Sequence, residues 1–482
     1  MIGKRILGIA AAIAVSAPLA IAQTNSIPSN PLQPRSPYTG SVTSGKATTE
    51  VVKLDFEDAI ERGLKQNLGI LLAGNSVESA RGELWKQLSD ALPNLTTDTT
   101  ETVSQVNLNQ TGFTRIKFPG ASLSGVNPIV GPFSYFDARA YLSVPLVDFN
   151  AWDKSRSANE SVRAAHYSFK DARELVVLVV GYNYLETLTD AARVNTAEAQ
   201  LKTADALYQQ ASDQETAGTS PAIDALRAKV EFQTRQQQLI AAHNDYQKQR
   251  LAFARTIGLP TGQPFELIEA IPYDPQPPVT VEEALQRAYA SRADFQSAQA
   301  QIHAAELARR AATEEHLPTL SFDGNYGVGG PVPDQIHGTF EAAGSLKIPI
   351  FQGGKTHSDV LTADANLKNS REQLENLRAQ IDQDVRDALF DLQSASDQVK
   401  VAASNVDLAS QTLDQARDRF VAGVTDNIEV VQAQEAVAAA NEAYISSLFN
   451  YNIGRISLAR AEGIAETGVM QYLKGKRNAT KD

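Results

Sequence analysis

The chain has 482 residues, a formal net charge of -12 and no cysteine, and aromatic residues make up only 7% of it. The acidic balance argues against a nucleic-acid partner, whose phosphates call for clustered Lys and Arg. The missing cysteines remove disulfides, thiolate metal sites and cysteine nucleophiles together. Few aromatics among many Ala, Gln, Asp and Glu point to an elongated helical molecule, not to one thick core.

Residues 1–22 carry the marks of a cleaved signal peptide: Lys4 and Arg5 at the start, an apolar run from Ile6 to Val15, and Ala20-Ile21-Ala22 before Gln23. Ser16 and Pro18 interrupt a run already short for a membrane helix. No cysteine follows the site, so no lipid anchor is expected. Elsewhere no run of about 18 apolar residues occurs, and any membrane insertion must use strands. Residues 23–50, rich in Pro, Ser, Thr and Asn, read as an extended or disordered leader.

From Leu54 to Leu92 the apolar spacing is helical, with Ala59, Ile60, Leu64, Leu68, Leu71, Leu84 and Leu88, and Pro93 stops it. The period then changes to two. Strands are expected at about 94–107 and 135–147, the second alternating Phe136, Ala138, Ala140, Leu142 and Val144 with Tyr135, Asp137, Arg139, Tyr141 and Ser143. A turn-rich loop separates them. Val144-Pro145 leads into a helix expected to run to about Thr216, and Ala217-Gly218-Thr219-Ser220-Pro221 turns the chain into a returning helix that ends at Gly258-Leu259-Pro260. Ser220 is placed to cap that returning helix, as Thr425 is in the second half.

After a proline-dense linker, 260–278, the pattern repeats. Ala284 matches Ala59, and Leu317-Pro318-Thr319-Leu320 matches Leu92-Pro93-Asn94-Leu95. Strands follow at about 319–328 and 339–350, then Pro349-Ile350-Phe351-Gln352-Gly353-Gly354-Lys355, then a helix to about Val421. Within it Val385, Leu392, Val399, Val406, Leu413 and Phe420 recur every seven residues, with Ala388, Ala395, Ala402, Ala409 and Ala416 three after each of the first five. Val194, Leu201 and Tyr208 with Ala197, Ala204 and Ala211 keep the same spacing in the first half. The turn Ala422-Gly423-Val424-Thr425-Asp426 and a returning helix to Gly463-Ile464 complete the repeat, and 465–482 form a basic tail. Helices of roughly 65 residues would be near 100 Å long. The expected units are thus a repeat at 54–259, the linker, and a repeat at 279–464.

Two strand pairs cannot close a barrel, since the smallest single-chain examples need about eight strands. An unclosed sheet would leave polar edge groups unpaired in lipid. Either the chain oligomerises or the strands stay out of the membrane.

The duplicated helix and hairpin halves, the Pro-Ile-Phe-Gln-Gly-Gly-Lys junction at Pro349, and the Ala-Gly turns before Ile223-Asp224-Ala225-Leu226 and Ile428-Glu429-Val430-Val431 resemble the TolC family of outer-membrane efflux proteins. The resemblance runs from about Leu54 to Ile464. It implies a mainly α fold with a membrane β-barrel: a homotrimer in which four strands per chain complete a twelve-stranded outer-membrane barrel above a periplasmic tunnel of long antiparallel coiled-coil helices. It also implies passive exit of substrates of a tripartite efflux pump or type I secretion system. The turns at Gly218, Thr219 and Ser220 and at Gly423, Val424 and Thr425 would then meet a periplasmic adaptor of an inner-membrane pump. Glu429 stands where the family places an acid at the pore constriction, Gln432 shares its helix face one turn on, and Asp224 is the first-half counterpart. The positions of the family's tip-closing arginine and tyrosine hold Thr425 and Phe420. In the barrel, Asp137, Arg139, Asp323, Glu341 and Lys347 would face the lumen, and Phe136, Leu142, Phe322, Phe340 and Leu346 the lipid.

No cofactor or metal is expected. The six histidines lack metal-ligand spacing, and Gly353-Gly354-Lys355-Thr356 lacks the first glycine of a phosphate loop, Pro349 standing there. The competing function is a soluble periplasmic coiled-coil adaptor or scaffold without a barrel. An enzyme ranks lowest, because nothing assembles a nucleophile, a base and an orienting group.

Overall fold

A computed structural model describes residues 36–468 apart from 44, 109, 111–126, 270, 272, 276–278, 332–334, 423 and 426. The expected signal peptide, the middle of the first loop, Gly423 and most of the basic tail lie outside the described residues. In chain order the elements are β1 (Val52–Leu54), α1 (Phe56–Gln66), α2 (Leu68–Ser89), β2 (Asn94–Asn107), β3 (Ile129–Val147), α3 (Phe149–Thr216) and α4 (Ala222–Thr256). Then come β4 (Phe265–Leu267), α5 (Val281–Ser291), α6 (Ala293–Glu314), β5 (Thr319–Gly330), β6 (His337–Lys347), α7 (Lys355–Val421) and α8 (Asn427–Ala461).

The duplication is visible element by element, from α1 and α5 through to α4 and α8. Several expectations need correction. The helix expected over 54–92 is two helices broken at Asn67, and its counterpart is broken at Arg292. Asn67 is extended, at φ -64 and ψ 131, and its side chain accepts from Gly69 N while its Nδ2 donates to Tyr38 O at 2.6 Å. Capping boxes Asp55/Asp58 and Thr280/Glu283 start the first helix of each pair. The Tyr38 ring lies so close to Gly69 that a Cβ there would meet it at 2.2 Å. Part of the expected leader is therefore packed structure. The second correction concerns the linker, where β4 pairs in parallel with β1, Val52 opposite Phe265.

The strands form one antiparallel sheet in the order β2-β3-β5-β6. β3 starts six residues earlier than expected and β6 ends at Lys347, before Pro349, whose missing N–H cannot extend a ladder. Gly353 and Gly354 at φ 64 and 87 turn the chain from β6 into α7.

The helices α3 and α7 have 68 and 67 residues, about 100 Å at 1.5 Å per residue. Each doubles back on its partner, α3 on α4 and α7 on α8, and the pairs meet through α3 and α8. The seam positions Val385, Ala388, Ala395, Val399, Ala402, Leu413, Ala416 and Phe420 are buried. Near the helix middle, Val176, Val180, Tyr184, Phe253 and Ile257 gather with Leu54, Phe56 and Ile60 into the largest apolar cluster. No helix among the described residues is long and apolar enough to cross a membrane.

Candidate functional site

Ladder register decides which strand residues share a face. Asp137 stands opposite Gly329, Arg139 opposite Gly327 and Ser143 opposite Asp323. Asn325 stands opposite Glu341 and Thr319 opposite Lys347. Asp137, Arg139, Asp323, Glu341 and Lys347 therefore lie on one face, joined there by Asp98 of β2 opposite Arg139. Phe136, Leu142, Phe322, Phe340 and Leu346 lie on the other, and Phe340 is 80% exposed.

The polar face is a connected network. Arg139 Nη1 donates to Asn325 Oδ1 at 2.5 Å and Nη2 to Thr339 Oγ1 at 3.1 Å, while Nε and Nη2 both reach the Asp137 carboxylate. Asn325 Nδ2 passes the chain on to Glu341 Oε2 at 3.2 Å. Asp323 accepts from Ser143 at 2.7 Å and from Ser321 at 3.1 Å. The four acids outnumber Arg139 and Lys347, so the described residues of this face carry a net negative charge.

At the far end, α3 ends with Gly218 at φ 70, and Thr219 N donates back to Gln214 O at 2.9 Å. In the second turn Val424 N donates to Arg419 O at 3.0 Å, the same closure 205 residues on. Gly423 lies outside the described residues, and Val424 is 69% exposed. Ser220 does not cap α4: its Oγ donates to Asp224 Oδ2 at 2.9 Å, and the N-cap residue is Pro221, which gives no side-chain cap. Thr425 likewise donates to Glu429 Oε2.

The expected constriction residues are placed unequally. Asp224 is buried at 7% exposure, and its Oδ1 lies 3.5 Å from Arg227 Nη1. Glu429 is half-exposed, its Oε1 3.1 Å from Arg419 Nη1, and Gln432 is exposed. Phe420 is buried among Leu207, Leu413, Ala416, Val430 and Ala433. Sequence reasoning missed Arg419. The signal was there: a basic residue in the last turn before a glycine turn and an acid in the first turn after it, each complementing its helix end.

A duplicated hairpin of very long helices carrying one four-stranded sheet, polar on one face and apolar on the other, defines a class of elongated helical proteins with a two-faced sheet at one end. The profile of the family described as outer membrane efflux protein matches residues 59–259 and 284–463. The chain belongs to that family. It is 21% identical to the probable outer membrane lipoprotein SilC of Salmonella typhimurium over 416 residues, 84% of each chain. It is 22% identical to the probable efflux pump outer membrane protein TtgC of Pseudomonas putida, covering 85% of this chain and 82% of that one. It is 25% identical to outer membrane protein TolC of Escherichia coli over 175 residues, only 36% of that protein's length. Among solved structures, the open-state MtrE outer membrane channel of Neisseria gonorrhoeae has the same fold, with a TM-score of 0.72 at 17% identity, covering 88% of this chain and 95% of that one. VceC of Vibrio cholerae aligns with a TM-score of 0.71 at 18% identity, covering 85% and 96%.

Proposed function

We propose that three copies of this chain close a twelve-stranded barrel in the outer membrane and continue it as a helical tunnel through the periplasm, giving passive exit to substrates of a tripartite efflux pump or type I secretion system. The observation that carries this reading is that the protomer is unfinished on both flanks at every level. The sheet has open edges at β2 and β6, and an open edge in lipid is prohibitive. The flanking helices bear apolar residues in the same way: Leu226, Val230, Ile240 and Leu251 on α4, and Phe390, Val401 and Leu408 on α7, each at least 58% exposed. Two unlike flanks that complete each other form a head-to-tail contact, and such contacts close into a ring. Twelve strands are within the range of closed barrels.

In this assembly Asp98, Asp137, Arg139, Asp323, Glu341 and Lys347 line the lumen, and Phe340 and Leu346 meet lipid. Glu429 and Gln432 face the constriction, while the burial of Asp224 argues for a structural part in the first turn. The exposed turns Gly218–Ser220 and Val424–Thr425 meet a periplasmic adaptor. The mature chain follows removal of residues 1–22, and the repeats run 54–259 and 279–464 about the linker. The similarity to the probable efflux pump outer membrane protein TtgC supports the transport role, and among the described residues no catalytic constellation competes with it.

Imaging of detergent-extracted mature protein by negative stain tests the reading. Threefold particles with a hollow axis and a shaft near 100 Å, the length of about 67 helical residues, are expected. Solid rods or water-soluble monomers would overturn it in favour of a periplasmic scaffold.

A further inference from the structure

The two tip turns share one feature that the duplication explains and differ in one that it does not. Each has a hydroxyl bonded to an acid four residues on, Ser220 to Asp224 and Thr425 to Glu429. Each acid also meets an arginine of its own chain, but the arginines come from unrelated positions. Arg227 pairs with Asp224 from within α4. Arg419 reaches Glu429 from the last turn of α7, across the turn, and its first-half equivalent by the 205-residue offset is Gln214.

We infer that Arg419 is a specificity-determining residue of the conduction path, setting the charge of the tip ring by compensating Glu429. The inference rests on the channel reading and on Glu429 as its constriction acid. Three bare carboxylates brought together at a narrow passage would concentrate cations and repel anions. With a guanidinium 3.1 Å from each Glu429 carboxylate, the ring is close to neutral, and anionic as well as cationic solutes can pass the tip. The compensation is internal to each protomer, so it persists whether the three tips stand together or apart. Arg419 has no contact role in conduction itself: it acts on the solute through the charge of Glu429. Helix-end complementarity alone would also favour both residues where they stand, and the test must separate that stabilising role from a role in selectivity.

Reversal potentials in planar bilayers under a KCl gradient make the separation. Arg419→Ala is expected to raise the potassium-to-chloride permeability ratio at least about twofold, as an uncompensated anionic ring draws in cations. Arg419→Lys is expected to keep the wild-type ratio. Glu429→Gln, which leaves the arginine alone, is expected to lower it, and Arg419→Ala combined with Glu429→Gln to restore it. A purely stabilising arginine would alter particle yield or heat resistance and leave the Arg419→Ala and Arg419→Lys ratios at the wild-type value. Conducting Arg419→Ala channels with an unchanged ratio overturn the inference while leaving the channel reading intact. Should Arg419→Ala yield no channels, Arg419→Gln decides by the same measurement, and an unchanged ratio there overturns it equally. Wild-type trimers that conduct no ions overturn the channel reading itself.

Discussion

Gly327 of β5 lies directly against Arg139 of β3: a Cβ built on the glycine would stand 2.8 Å from Arg139 Cβ and Cγ and from Ala138 O. The missing side chain lets the guanidinium lie across the sheet to Asn325 and Thr339. The Gly327→Ala variant must move the β3 backbone or tilt Arg139 away, at a cost of about 1–3 kcal/mol per protomer. Oligomers of this variant are expected to dissociate at a lower temperature on semi-native gels, and an unchanged dissociation temperature would contradict the close approach.

Arg292 sits at the break between α5 and α6, 4% exposed, with Nη2 2.7 Å from Asp294 Oδ2 and Nη1 2.9 Å from Asp384 Oδ2. Burial works to raise the Asp294 pKa, yet the Arg292 guanidinium outweighs it and holds the carboxyl below the usual range. Arg292→Met removes the cation that bonds both Asp294 and Asp384, and because these carboxylates stay partly solvated the cost is about 1–3 kcal/mol. Because the folded pKa is depressed, the contribution is present above the ordinary aspartate range and lost as pH falls through the folded value. Denaturant midpoints of wild type and variant should therefore differ most near neutral pH and converge in strong acid.

Much of this was legible in the residues, for physical reasons that also mark where legibility stops. Val385, Val399 and Leu413 announce their helix because a seven-residue period fixes one buried face whatever the partner is. Phe340 and Leu346 announce a strand because alternation separates the faces. The Thr-rich β2 alternates poorly because threonine occupies both of its faces, yet the strand expected at about 94–107 is there and pairs with β3. The break at Asn67 was hidden because Leu64, Leu68 and Leu71 keep helical spacing through it, while the cap depends on Tyr38, 29 residues away. The β1–β4 pair joins three residues to three across more than two hundred, beyond any local pattern. Site residues on the sheet followed from alternation. The Arg419 pairing needed the geometry of the turn.

Glu462, 3% exposed, lies 3.2 Å from Arg287 Nη2, and burial pushes its pKa up further than that arginine pulls it down. A carboxyl whose folded pKa is raised is unfavourable when ionised. The penalty is absent below the unfolded value, grows as pH rises through the folded one, and is complete above it. Glu462→Gln is expected to raise the melting temperature at neutral pH, with the gain vanishing at acid pH where the native carboxyl is already protonated. A variant that melts lower at neutral pH would mean that the Arg287 pair outweighs desolvation.

Val230 and Ile240 of α4, 64% and 66% exposed, lie on the flank assigned to the neighbouring protomer. Replacing Val230 with Glu would bury a charge without a partner in each of three interfaces, where even a neutral polar group left unpaired costs about 1–3 kcal/mol. The same change on a solvated face costs within about 0.5 kcal/mol. Loss of trimer by light scattering, with helical content unchanged, is the expected result. A fully trimeric Val230→Glu protein would remove α4 from the interface.

Phe340 tests the outer face of the sheet. It lies on β6 opposite Tyr326 and on the same face as Leu346, and all three are at least 63% exposed. On a lumen face, arginine at this position would be solvated and tolerated. On a lipid face it costs about 2–4 kcal/mol near the bilayer midplane, and three copies per barrel multiply the penalty. Phe340→Arg is therefore expected to leave the helices folded while sharply reducing the fraction of trimer recovered in outer-membrane vesicles. Asp323→Arg, on the opposite face, is expected to insert normally and alter ion preference alone. If the two variants behave the other way round, the faces are exchanged, and Arg139, Asp137 and Glu341 cannot line the channel.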